Sequence, residues 1–162
     1  MAGSTTKKAI VERFEKEPLS GYINPTCFLQ PGGIEVLSAQ GHIATLPYAD
    51  VKTVSFVRDF DTAAPAGPGR RVFFTRPKME GLWVRLLFRD QDVMEGVMPN
   101  NLLQLERYGF TVIPPDSSGN QQRVFIPREA LKAVEVLGVV GSPLTRRKTK
   151  AAPKEQIRLF EE

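Results

Sequence analysis

The chain has 162 residues, 41% hydrophobic and 25% charged, a balance that excludes a disordered or fibrous polypeptide and suits one ordinary domain or two very small ones. No run of about 18 apolar residues occurs, so no membrane-spanning helix is predicted, and a single cysteine excludes an internal disulfide. The formal charge of +4 is unevenly placed: segments 1–57 and 81–141 are close to neutral, and the excess of lysine and arginine falls in 58–80 and 142–162.

The first residues lead into a patterned strand without the apolar core of a signal peptide. With the lone Cys27, this gives the expectation of a cytoplasmic protein. A strand is predicted over 10–14, a turn over 15–18, and a second strand carrying Gly21, where a glycine inside a strand signals a bend. Cys27 falls in an apolar stretch, Thr-Cys-Phe-Leu, which predicts a buried, inert thiol. Turns follow at Gln30-Pro31-Gly32-Gly33 and at Ala39-Gln40-Gly41, with His42 at the start of the next strand. Leu46-Pro47 then introduces the strand 51–57.

The segment 58–80 reads as a linker through Ala63-Ala64-Pro65-Ala66-Gly67-Pro68-Gly69. It is followed by a basic stretch whose alternation over 70–78 suggests an added edge strand or an arm. Strands are then predicted over 82–88, 93–98, 101–106, 108–113 and 122–126. A helical turn is expected at Pro127-Arg128-Glu129-Ala130, since proline is tolerated at a first helical position, and a last strand over 132–139. Asp90 and Asp92 mark a hairpin tip. The tail 142–162 is basic and lacks the apolar content for a core.

An internal repeat runs through this pattern. Leu46-Pro47 with Val51-Lys52 and Val54 matches Ile126-Pro127 with Leu131-Lys132 and Val134. Ile34-Glu35-Val36 matches Phe110-Thr111-Val112. The stretch from Ile10 to Phe14 followed by Gly21 matches Val84 to Phe88 followed by Gly96, with one extra residue in the second copy. The predicted fold is therefore all-β: a first small barrel over 1–57, a linker and basic arm over 58–80, a second small barrel over 81–141 and a flexible basic tail over 142–162.

A short-strand meander with a glycine-bent second strand and a helical turn before the last strand resembles the SH3-like and Sm-like small barrels. Its duplication resembles uncharacterised bacterial proteins that repeat this module. The resemblance implies a binding fold. The RNA pocket of Sm proteins has no intact counterpart: Asn101 lies close to Gly96, Gly138 lacks a preceding arginine, and Arg58 lacks a following glycine. A PilZ-type cyclic-dinucleotide motif is likewise out of register, since Arg71 to Arg76 is one residue too long and Asp116 to Gly119 one too short.

No nucleophile, base and orienting group occur at a usable spacing, one histidine and one cysteine cannot make a zinc site, and no phosphate-cradling glycine loop is present. The expectation is a non-enzymatic binding protein without a cofactor. Cations flanking exposed aromatics suit single-stranded RNA, which nominates Arg70, Arg71, Phe74, Arg76 and Lys78 in the arm. Arg146, Arg147, Lys148 and Lys150 in the tail would make phosphate contacts. The alternative is a protein–protein adaptor built on two SH3-like modules, with self-association through open strand edges a further expected mode.

Overall fold

The computed structural model describes residues 5–60, 71–115 and 120–141. Among these residues the chain is all-β, without an α-helix. The first half holds β1 (Lys7–Arg13), β2 (Leu19–Ile23), β3 (Leu29–Gln30), β4 (Gly33–Leu37), β5 (Ile43–Leu46) and β6 (Val51–Val57). The second holds β7 (Gly81–Phe88), β8 (Val93–Met98), β9 (Gly109–Val112), β10 (Gln121–Pro127) and β11 (Leu131–Val140). Short 3-10 turns occupy Tyr48–Asp50, Leu102–Gln104 and Arg128–Ala130.

The main sheet has the order β3-β4-β2-β1-β6-β10-β9, with β5 paired on β4, and β11-β7-β8 form a second sheet. An isolated bridge between Val97 and Ile113 connects β8 to the end of β9, with N–H···O distances of 3.0 and 2.8 Å. Followed through that bridge, the first half runs β6-β1-β2-β4-β5 and the second runs β11-β7-β8-β9-β10. In each half the last strand lies beside the first.

Side-chain contacts recur with this order. Gly21 faces Val36, where an added Cβ would come within 2.6 Å of Cγ1, and Gly96 faces Val112 at the same 2.6 Å from Cγ2. Gly33 and Gly109 lie against the carbonyls of Leu46 and Ile126, with an added Cβ at 2.2 Å from each. The register places Ala9 opposite Gly21 and Val84 opposite Gly96. Ala9, not Ile10, is thus the residue that faces Gly21, as Val84 faces Gly96. Ile10 and Val11 are adjacent apolar residues, and the local pattern does not say which faces inward; the fold buries Ala9 and Val11. Gly109→Ala is expected to cost about 1–3 kcal/mol by overpacking, measured by urea unfolding, because backbone rather than a movable side-chain end fills the space.

The two halves are joined rather than free-standing. β10 pairs with β9 on one side and with β6 on the other, through Arg123–Phe56, Val124–Ser55 and Phe125–Val54. Its alternation serves two cores. Val124 and Ile126 enter the cluster of Val84, Leu86, Phe88, Met94 and Val112. Phe125 points the other way, into the cluster of Ala9, Val11, Ile23, Ile34, Val54 and Phe56. There it meets Phe28 edge-on, with ring centroids 5.4 Å apart. Tyr48 and Tyr108 stack across the junction at 4.7 Å.

Two local expectations are corrected, and the alternative left open for the arm is decided. Residues 101–106 form no strand: the Asn101 side chain accepts a 3.0 Å hydrogen bond from the Leu103 N–H and caps a 3-10 turn. The described arm residues 71–80 form no strand either. Cys27 is exposed in a turn rather than buried in a strand, its N–H donating to the Asn24 carbonyl.

Candidate functional site

Of the residues nominated for RNA, the arm members are divided between structural and surface roles. Arg71 donates to both Glu12 carboxylate oxygens at 3.1–3.2 Å and lies 3.4 Å from Asp92, and its carbonyl accepts from the Glu95 N–H at 2.7 Å. Arg76 donates to the Val139 carbonyl at 2.7 Å. Phe73 packs edge-on to Trp83, and the Trp83 Nε1–H donates to the buried Glu95 carboxylate at 2.9 Å. Glu95 thus fastens the arm to β8. Phe74 is 91% exposed and Lys78 is exposed. Arg70 and the tail residues Arg146, Arg147, Lys148 and Lys150 lie outside the described residues.

Arg71 belongs to a charged seam between the halves. Lys52 Nζ on β6 sits 2.7 Å from Asp90 and 2.9 Å from Asp92 on the β7–β8 hairpin tip. The same ammonium lies 5.1 Å from the centre of the Phe88 ring, and the Arg89 guanidinium lies 4.0 Å from that of Phe14. Burial is the largest single influence and would raise both aspartates, but the Lys52 hydrogen bond, the Lys52 charge and a backbone hydrogen bond to each together outweigh it and hold the carboxyls below their ordinary range. Burial acts against the Lys52 charge, and the two carboxylates more than reverse that, moving Lys52 upward. These groups are saturated by one another, so the seam is a fastening.

The open chemistry lies around β9. A cleft of about 430 Å³ is lined by Lys7, Pro25, Phe28, Phe56, Glu106, Thr111, Ile113, Gln122 and Arg123. A second cleft of about 260 Å³ shares Glu106, Thr111, Ile113 and Arg123 with it and adds Met98, Pro99, Leu105 and Phe110. The 3-10 turn borders this second cleft and leaves Leu102 79% and Leu103 95% exposed. Glu106 stands between the two clefts. Thr111 Oγ1 donates to its Oε1 at 2.8 Å, while Oε2 is buried with no hydrogen-bond partner among the described residues. Burial pushes this carboxyl up, and the threonine offsets the effect only in part.

Pattern reading missed this site because it took 101–106 for a strand. The adjacent pair Leu102-Leu103 with Leu105 already breaks strand alternation, and that was the available signal. Glu106→Gln is expected to stabilise the fold by about 1 kcal/mol at pH 7, by removing a desolvated charge while keeping an acceptor for Thr111. An acid whose folded pKa is raised contributes stability below its unfolded value and loses it as pH rises. The gain from the amide should therefore vanish near pH 3, which denaturant melts at both pH values will show.

The arrangement offers an apolar rim, two cationic side chains, an amide, a hydroxyl and one elevated carboxyl, a set suited to holding an amphipathic ligand. No helix among the described residues is long and apolar enough to cross a membrane. Comparison with curated proteins and with solved structures gives no match. Residues 5–138 match one family model, and the chain belongs to that family, the family of unknown function DUF6982.

Proposed function

We propose that the protein is a non-enzymatic docking module, built from two copies of one SH3/Sm-like strand unit, that binds a segment of a partner protein at the cleft beside the 3-10 turn. The observation that carries this reading is the exposure of Leu102, Leu103 and Leu105 next to a cleft lined by Arg123, with Lys7 on the adjoining cleft that shares Arg123. Exposed leucines in a contiguous group are costly to leave in water and favour a partner. The two cations select a segment that carries acidic residues beside apolar ones. The duplicated-module part is supported by the shared strand order and by the recurring glycine contacts of Gly21 with Gly96 and Gly33 with Gly109. We place the protein in a reducing compartment such as the cytoplasm, where the exposed Cys27 thiol stays free.

The test is retention of partners from the source cell on the immobilised protein, compared with a Leu102→Asp/Leu103→Asp variant. Loss of one stoichiometric partner with unchanged melting supports the docking site, and identical retention by both proteins overturns it. A second reading, association with single-stranded RNA, is favoured by the exposed Phe74 beside Lys78. It predicts salt-dependent oligonucleotide binding that weakens in Phe74→Ala and is indifferent to the leucine substitutions.

A further inference from the structure

The halves meet through one junction, and the equivalent junction is left unmade. The made one has two parts. Strand β10 pairs along β6, with Arg123 opposite Phe56 and Phe125 opposite Val54, and Lys52 of β6 reaches Asp90 and Asp92 on the hairpin tip of the other half. The repeat relates β5 and β6 to β10 and β11 through Pro47 and Pro127, and it relates the β1–β2 hairpin to the β7–β8 hairpin through Gly21 and Gly96. Exchanging the halves in this way gives the counterpart contact residue by residue. Ile43 would stand opposite Val136 and Thr45 opposite Val134, while Lys132 would face Glu15 and Glu17.

Every member of that counterpart set is present and unsatisfied. β5 pairs only with β4, and β11 only with β7, among the described residues. Ile43 is 66% and Val136 58% exposed, whereas Val54 and Phe56, the equivalents of Val134 and Val136, are buried. Lys132, Glu15 and Glu17 are all exposed, and none forms an ion pair with a described residue. The charge complementarity therefore repeats that of the interface already made within the chain, and Ile43 with Val136 supplies an exposed apolar pair.

We propose that a second copy of the chain closes this junction, β5 of each protomer pairing with β11 of its partner. Ile43 then packs on the partner's Val136, and Lys132 faces the partner's Glu15 and Glu17. A two-fold arrangement makes the contact twice and leaves neither ribbon end open, which removes two free strand edges at once. The hydrogen bond from Arg76 to the Val139 carbonyl lies beyond the paired stretch and is compatible with it.

Sedimentation equilibrium on the full chain tests this, together with oxidation of an Ile43→Cys/Val136→Cys variant in a Cys27→Ser background. Directly opposed strand residues have the Cα separation that a disulfide needs. The expected results are a dimer in solution and a covalent dimer of twice the chain mass. Val136→Lys and Lys132→Glu should each weaken association about tenfold or more, since the cross-strand contact is lost at two sites. Lys132→Glu combined with Glu15→Lys and Glu17→Lys should restore it. All these positions are exposed, so folding is unaffected, and circular dichroism checks this. A wild-type chain that stays monomeric, a disulfide that closes within one chain, or a dimer indifferent to these substitutions overturns the proposal.

Discussion

Phe125→Ala is expected to lower the unfolding free energy by about 3–5 kcal/mol, the cost of removing a fully buried aromatic side chain and leaving a cavity. Phe125 is 0% exposed, and its ring meets the Phe28 ring edge-on in the cluster of the first half. The strand that carries it belongs to the second half and is held there by β9. The substitution therefore damages a core whose other buried members all lie in the first half of the sequence, between Ala9 and Phe56. Its signature is a loss of protection at Ala9, Ile23 and Val54 as well as a drop in the urea midpoint. If the loss were confined to the second half, Phe125 would not be the link between the cores.

Lys52→Met is the second large effect. Breaking a buried ion pair costs about 3–5 kcal/mol, but Asp90 and Asp92 keep part of their solvent contact, so about 2 kcal/mol is expected here. The pH dependence has a definite sign. Both carboxyls titrate below their unfolded value, so their contribution is present above about pH 4 and is lost as pH falls through the lowered folded values. The Lys52 contribution is present below about pH 10 and is lost only as pH rises through its raised value. Wild-type stability from the seam is therefore level between these limits, and the methionine variant should lose most of the acid limb. Glu106 acts in the opposite direction over the acid range, so Glu106→Gln should steepen that limb.

Much of the strand layout was legible from local pattern. The run 82–88 and the return 93–98 appear as β7 and β8, and Pro127 opens a 3-10 turn before β11. Turn residues and two-residue alternation are short-range signals, and these elements depend on little else. Pairing between strands distant in sequence is different. Phe125 looks like any inward residue of a strand, and nothing local says that β10 will turn one face to a neighbouring core. The arm shows the limit from the other side. Its cations suggested an exposed nucleic-acid surface, yet Arg71 is held by Glu12 and Asp92 and Arg76 by a β11 carbonyl. The proposed correspondence of Lys52 with Lys132, and of Asp90 and Asp92 with Glu15 and Glu17, involves residues that are all visible in the sequence. Its meaning depended on seeing one of the two sets paired.

That the two halves form one sheet through β6 and β10 underlies the shared core, the fastening by Lys52 and the open ends at β5 and β11. Residue-resolved amide exchange of the full chain tests it most directly. Val54, Ser55, Val124 and Phe125 should exchange only through global unfolding, at one free energy common to the most protected amides of β1 and β7. Two distinct plateaus, one for the strands of 7–57 and another for those of 81–140, with the β6 and β10 amides exchanging ahead of both, would contradict it.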